Sequence, residues 1–109
     1  MNRIVIRPLT QAHGEAFLSL VDALADYERL KRPDRAGRSR LLRDGTGRSR
    51  RFDAFLAFRN GSAVGYAIVF ETYSSFRARP TLYLEDLFVL PECRKQKVGL
   101  KLFRRCLAE

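Results

Sequence analysis

The spacing of apolar and polar side chains divides the chain into seven segments. Arg3-Ile4-Val5-Ile6-Arg7 alternates as a first strand, and Pro8 ends it because proline cannot donate to a ladder. From Thr10, an N-cap residue type, to about Leu30, apolar residues recur at Ala16, Phe17, Leu20, Val21, Leu24 and Tyr27. This i, i+3, i+4 spacing predicts a helix that packs by one face, with Glu15, Asp22, Asp26 and Arg29 largely opposite. Pro33 breaks the pattern. A shorter helix is expected from Asp34, its cap, to Arg43, with only Leu41 and Leu42 as anchors. Asp44-Gly45-Thr46-Gly47 should stop it.

Two strands follow, Phe52 to Phe58 and Ala63 to Tyr73. They are joined through Asn60-Gly61, a strong hairpin signal because both residues accept positive φ. A third, Leu82 to Leu90, is reached through Ser74 to Pro80. Beyond Pro91 lies a polar, basic loop, and from Val98 the apolar spacing through Leu102, Phe103 and Cys106 is helical. The predicted order is β-α-α-β-β-β-α, with no internal repeat.

Composition narrows the class. A chain of 109 residues, 46% hydrophobic and 30% charged, reads as one globular domain with a real core. No apolar run approaches the roughly 18 residues of a membrane span, and Arg7 and Pro8 interrupt the place where a signal peptide needs an apolar stretch. A cytoplasmic protein without a membrane role is therefore expected. Cys93 and Cys106 have no metal-ligand spacing and read as free thiols, Cys93 as packing filler, and no metal site is expected. His13 reads as a solvated residue.

Charge is unevenly spread. Ten basic residues between Arg29 and Arg51 face only Asp34 and Asp44, so +8 of the net +9 lies there. Such a patch attracts polyanions, and Arg35 to Arg51 therefore keep open a nucleic-acid-binding reading, although no zinc, helix-turn-helix or aromatic-interleaved pattern accompanies them.

The candidate chemistry lies between Leu82 and the last helix. The first amides of a helix have no intrahelical partner and sit at the positive end of its dipole, so an anion can bind there. Arg94, Lys95 and Lys97 add positive charge, and Gly99 permits close approach to a ligand. The run Tyr83-Leu84-Glu85-Asp86-Leu87-Phe88-Val89, with Pro91, Arg94 and Gly99, resembles the acetyl-CoA signature of the GNAT acetyltransferase superfamily, whose loop reads Arg/Gln-x-x-Gly-x-Gly/Ala. Tyr-Leu-Glu-Asp before the loop is similar to the diamine (spermidine/spermine) acetyltransferase group. Ile6-Arg7-Pro8 and a helix ending Leu24-Ala25-Asp26-Tyr27-Glu28 extend the likeness to the N-terminus. Lys97 stands where the family carries its first loop glycine. If that position requires positive φ, the loop carries strain.

The resemblance implies an α/β (α+β) fold: the N-terminal portion of the GNAT fold, a mainly antiparallel sheet with flanking helices. It implies a single domain over residues 1–109 that lacks the family's C-terminal part. That part carries a further strand splayed from the one holding Leu87 to Val89, and a thiolate-protonating tyrosine. Strand 82–90 is accordingly expected to show an unpaired apolar edge, which a second copy could cover as a homodimer.

The implied activity is N-acetyl transfer from acetyl-CoA, the cosubstrate, to a primary amine: a diamine, polyamine or lysine-like small molecule. By resemblance, main-chain groups of Leu87, Phe88 and Val89 hold the pantetheine amides. Arg94, Lys95, Gln96, Lys97, Val98, Gly99 and Leu100 wrap the diphosphate. Glu85 is the catalytic candidate, expected as a buried carboxylate that takes the ammonium proton through water, while Tyr27, Glu28 and Glu85 form the acceptor side. Ser74 and Phe76 fall where the diamine group tends to carry an acidic and an aromatic residue, and the loss of the acid weakens the polyamine reading. A net +9 also steers polycations away and favours a lysine-like acceptor. Two rivals stand beside this reading: a catalytically silent CoA-binding or dimerising remnant, and the basic nucleic-acid-binding module.

Overall fold

The computed structural model describes residues 3–108, with Lys95 described by its main chain only. Nine elements follow in order: β1 (Ile4–Pro8), a 3-10 turn (Gln11–His13), α1 (Gly14–Tyr27), α2 (Arg35–Thr46), β2 (Asp53–Arg59), β3 (Ser62–Ser74), β4 (Arg79–Val89), a 3-10 helix (Pro91–Gln96) and α3 (Val98–Leu107). The expected order β-α-α-β-β-β-α is present. The strands form one antiparallel sheet in the order β1-β2-β3-β4, so β1 and β4 are its edges.

Period-two alternation splits the strand side chains between two faces. On one, Leu56, Tyr66, Ile68 and Phe88 meet Phe17, Leu18 and Leu20 of α1, and α2 adds Leu41 and Leu42. On the other, Phe55, Ala57, Val64, Ala67, Val69 and Val89 meet Val98, Leu102 and Cys106 of α3 together with Cys93. Neither cysteine is in a disulfide among the described residues and both are buried, Cys93 in the packing role its position suggested.

Local endings differ from the sequence reading where tertiary contacts or turn chemistry intervene. Thr10 makes no side-chain cap; a 3-10 turn precedes α1, which starts at Gly14. The helix stops at Tyr27, short of Leu30. Arg29 turns left-handed at φ 58°, and the Leu30 amide closes back on the Ala25 carbonyl at 2.7 Å. Asp34 caps α2 as expected, accepting from the Gly37 amide at 2.7 Å. Gly45 does not end this helix but lies inside it. A Cβ there would stand 2.8 Å from the Phe52 ring, so the glycine serves close packing instead. Pro80 falls within β4 opposite Tyr73, which an edge strand tolerates. His13, expected in solvent, is half-buried, with its ring centroid 4.9 Å from that of Phe58.

Candidate functional site

The join between β4 and α3 is built from both sides of the sheet. Val98 and Leu102 are fully buried on the α3 face and pin the start of the helix against Val89. The residue before them, Lys97, adopts the left-handed conformation at φ 61° and ψ 24° and caps α3 without a side-chain hydrogen bond. A non-glycine residue there costs about 1–2 kcal/mol, which is the strain the missing glycine implied. The Lys97 side chain is exposed, and the first helical bond back to this residue is Lys101 N to Lys97 O at 3.1 Å. The amides of Val98, Gly99 and Leu100 thus form the open positive end of the helix. Gly99 leaves room beside them, since a Cβ there would find only Val89 Cγ2, at 3.8 Å. Gln96 precedes this turn with its Oε1 buried and lacking a hydrogen-bond partner among the described residues. The Lys95 side chain lies outside the described residues.

The expected loop is a 3-10 helix, Pro91–Gln96, from which the exposed Arg94 reaches the end of β4 and Tyr27. Its Nε donates to the Val89 carbonyl at 2.9 Å and its Nη1 to the Tyr27 hydroxyl at 3.2 Å. The guanidinium carbon lies 4.6 Å from the Tyr27 ring centroid and 5.7 Å from that of Phe88. Tyr27, at the end of α1, is therefore brought to Arg94, 67 residues away in sequence. Arg94 spends its side chain on that tie and on one carbonyl of the edge strand. Toward an anion at the turn, its main chain remains.

A bulge lies just upstream. Ile68 pairs with Asp86 while its neighbour Val69 pairs with Leu84, so Glu85 is the extra residue of β4. Glu85 is exposed rather than buried, because the bulge lifts it out of the alternation. The half-buried carboxylate is its neighbour. Asp86 shares a face with Phe88 and accepts a hydrogen bond from the buried Tyr66 hydroxyl at 3.1 Å. Burial pushes the Asp86 carboxyl above its ordinary 3.8; the Tyr66 bond opposes this, and the charges of Glu85 and Glu28 add to it. Burial, with Asp86 alongside, likewise pushes the Tyr66 phenol well above its ordinary value.

Glu28, Glu85 and Asp86 consequently form one acidic neighbourhood beside Tyr27, Phe88 and Arg94. Ser74 and Phe76 stand apart from it, at the β3–β4 turn; Phe76 is fully exposed. Tyr66 and Asp86 were not singled out from the sequence. The two-residue spacing from Asp86 to buried Phe88 was the available signal, and the adjacent Glu85 drew the assignment away. Among the described residues, no group of three or more His, Cys, Asp or Glu could hold a metal.

Residues 17–109 match the acetyltransferase (GNAT) family. The chain belongs to that family. Thialysine N-epsilon-acetyltransferase of Bos taurus is 28% identical over 110 residues, covering 94% of this chain and 64% of the relative. This chain therefore spans just under two thirds of that relative's length. In fold it is similar to the ribosomal-protein-alanine N-acetyltransferase of Brucella melitensis biovar Abortus 2308, with TM-score 0.78, 19% identity and coverage of 97% and 71% of the two chains. It is also similar to AAC(6')-Iy in complex with a CoA-S-monomethyl-acetylneamine bisubstrate analogue, with TM-score 0.74, 24% identity and coverage of 97% and 70%. The family match therefore runs from α1 through the loop and α3.

Proposed function

We propose that this chain binds acetyl-CoA and carries the acetyl-transfer site of an N-acetyltransferase for a primary amine on a small lysine-like molecule. The observation that carries the reading is the open row of amides at the start of α3, beneath an exposed Lys97 side chain and beside an edge strand. Those amides, from Lys97 to Leu100, are suited to a diphosphate, with the main chain of Arg94, Lys95 and Gln96 completing the turn. The edge groups of Leu87, Phe88 and Val89 are suited to the amides of an extended arm, as in strand addition.

Glu28, Glu85 and Tyr27 face the acceptor. The carboxylates of Glu28 and Glu85 hold the incoming ammonium, and Glu85, exposed on its bulge, takes one proton through water. The neutral amine then attacks the thioester carbonyl, forming the N–C bond as the C–S bond breaks; the thiolate leaves with the electron pair and takes, through water, the proton that the acetylated nitrogen sheds. Asp86, fixed by Tyr66, adds negative potential where the ammonium enters. A lysine-like acceptor is preferred over a polyamine on two grounds. The net charge of +9 repels polycations, and the Bos taurus relative is named for thialysine.

Calorimetric titration with acetyl-CoA, followed by thiol release with thialysine, lysine and spermidine, tests this. Saturable binding and thialysine turnover are expected, with Glu85→Gln lowering kcat about 100-fold at unchanged acetyl-CoA affinity. No binding at millimolar acetyl-CoA would remove the cofactor role. Binding without turnover of any amine would leave the silent CoA-binding reading.

A further inference from the structure

We propose that a recess at the β1 edge is a second binding site, for a small organic anion with an apolar body. The recess has a volume of about 440 Å³, within the range of small-molecule sites, and is lined by Arg3, Val5, Arg7, His13 and Phe58, with Asn60 and Gly61 at the hairpin tip. Arg3, Val5 and Arg7 are alternate residues of one extended segment, so they line one face. Their partner Phe58, opposite Val5, supplies the apolar floor. The lining contains no carboxylate, and neither Arg3 nor Arg7 joins an ion pair among the described residues. Two guanidinium groups left without counter-charge around an apolar floor suit a carboxylate or phosphate joined to a ring or short chain.

A second observation sits in the wall. His13 leans its ring on Phe58 at 4.9 Å, and its Nδ1 is buried with no hydrogen-bond partner among the described residues. Native structures rarely leave such an atom unsatisfied, and it marks a wall whose polar complement is incomplete.

The recess is separate from the acetyl-CoA site. It lies at the β1 edge on the face covered by α1, whereas the α3 amides lie beyond the β4 edge and α3 covers the opposite face. The inference therefore stands independently of the transferase reading.

His13 is the only histidine of the chain, so its ring protons give a unique proton NMR reporter. At fixed pH and ionic strength the intact chain is titrated with phenyl phosphate, inorganic phosphate and benzyl alcohol. Phenyl phosphate is expected to move the His13 resonances saturably, with inorganic phosphate at least about ten-fold weaker and benzyl alcohol without effect. In the Arg3→Gln/Arg7→Gln variant the phenyl phosphate affinity should fall at least about ten-fold. Each single substitution, with the amide spectrum as a check on folding, carries the same test if the double variant unfolds.

A shift that never saturates, or that survives both substitutions, would overturn the site. Equal affinity for inorganic phosphate would overturn the organic part of the ligand. Acetyl-CoA added separately should move the amides of the α3 turn and leave His13 in place; the reverse pattern would make the recess an outlying part of the cofactor site and sink the claim of separateness.

Discussion

Lys97 shows a residue with a side chain holding a left-handed turn that favours glycine. The turn into α3 still uses the left-handed conformation, so the buried contacts of Val98 and Leu102 outweigh a penalty of about 1–2 kcal/mol. Lys97→Gly removes that penalty but adds about 0.5–1 kcal/mol of chain entropy to be lost on folding. A net gain of up to about 1.5 kcal/mol is expected, read as a higher urea midpoint, together with tighter acetyl-CoA binding. A lower midpoint would show that the lysine side chain itself holds the turn.

Asp86 gives a pH signature at the same scale. Its folded carboxyl binds its proton more tightly than the ordinary 3.8, so the folded state is favoured by protonation. The contribution is full in acid below 3.8 and is lost as pH rises through the raised folded value. Asp86→Asn keeps an oxygen for the Tyr66 hydroxyl and removes the titration. Thermal melts across that interval should therefore descend less steeply with pH in the variant; parallel curves would mean that Asp86 is solvated like an ordinary carboxylate.

Among the elements, α3 does the most for its size. It is apolar on two sides: Val98, Leu102 and Cys106 dock on the sheet, while Leu100, Phe103 and Leu107 are exposed. Leu102→Ala should cost about 2–5 kcal/mol, because the site is fully enclosed and cannot collapse around the loss. Urea unfolding measures this, and a loss under about 1 kcal/mol would show that α3 is loosely docked. The same substitution should weaken acetyl-CoA binding, since α3 carries the amides of the turn. By contrast, α2 holds to α1 mainly through Leu41 and Leu42 and through an ion pair from Arg38 to Asp22 at 2.7 Å. Its existence and its Asp34 cap were legible in sequence. Its end was not, because a glycine reads as a stop until the Phe52 ring is known to fill the space beside it.

For the whole molecule, the decisive feature is the β4 edge. Leu82, Leu84 and Leu87 lie exposed on the α3 side of that strand, and α3 itself exposes Leu100 and Phe103. An unpaired, apolar edge of this kind is a template for another chain. The 109-residue chain is expected to self-associate in sedimentation at tens of micromolar, and Leu84→Lys/Leu87→Lys to return it to monomer. A wild-type chain that stays monomeric at millimolar concentration would remove the homodimer expectation.

The charge distribution was readable from composition, but its partners were not. Arg32 and Arg38 are tied to Asp26 and Asp22 of α1, whereas Arg3 and Arg7 gather at the recess, and only the folded chain shows the difference.

Periodicity alone was enough to lay out the order of strands and helices, the Asn60-Gly61 hairpin and the loop before the last helix, because these depend on neighbours a few residues apart. The acidic neighbourhood of Glu28, Glu85 and Asp86, the Arg94 tie to Tyr27, and the half-burial of His13 depend on register and on contacts between distant segments. A single bulged residue in β4 exposes Glu85 and turns Asp86 to the core. Alternation read along one strand carries no information about where its partner slips by one.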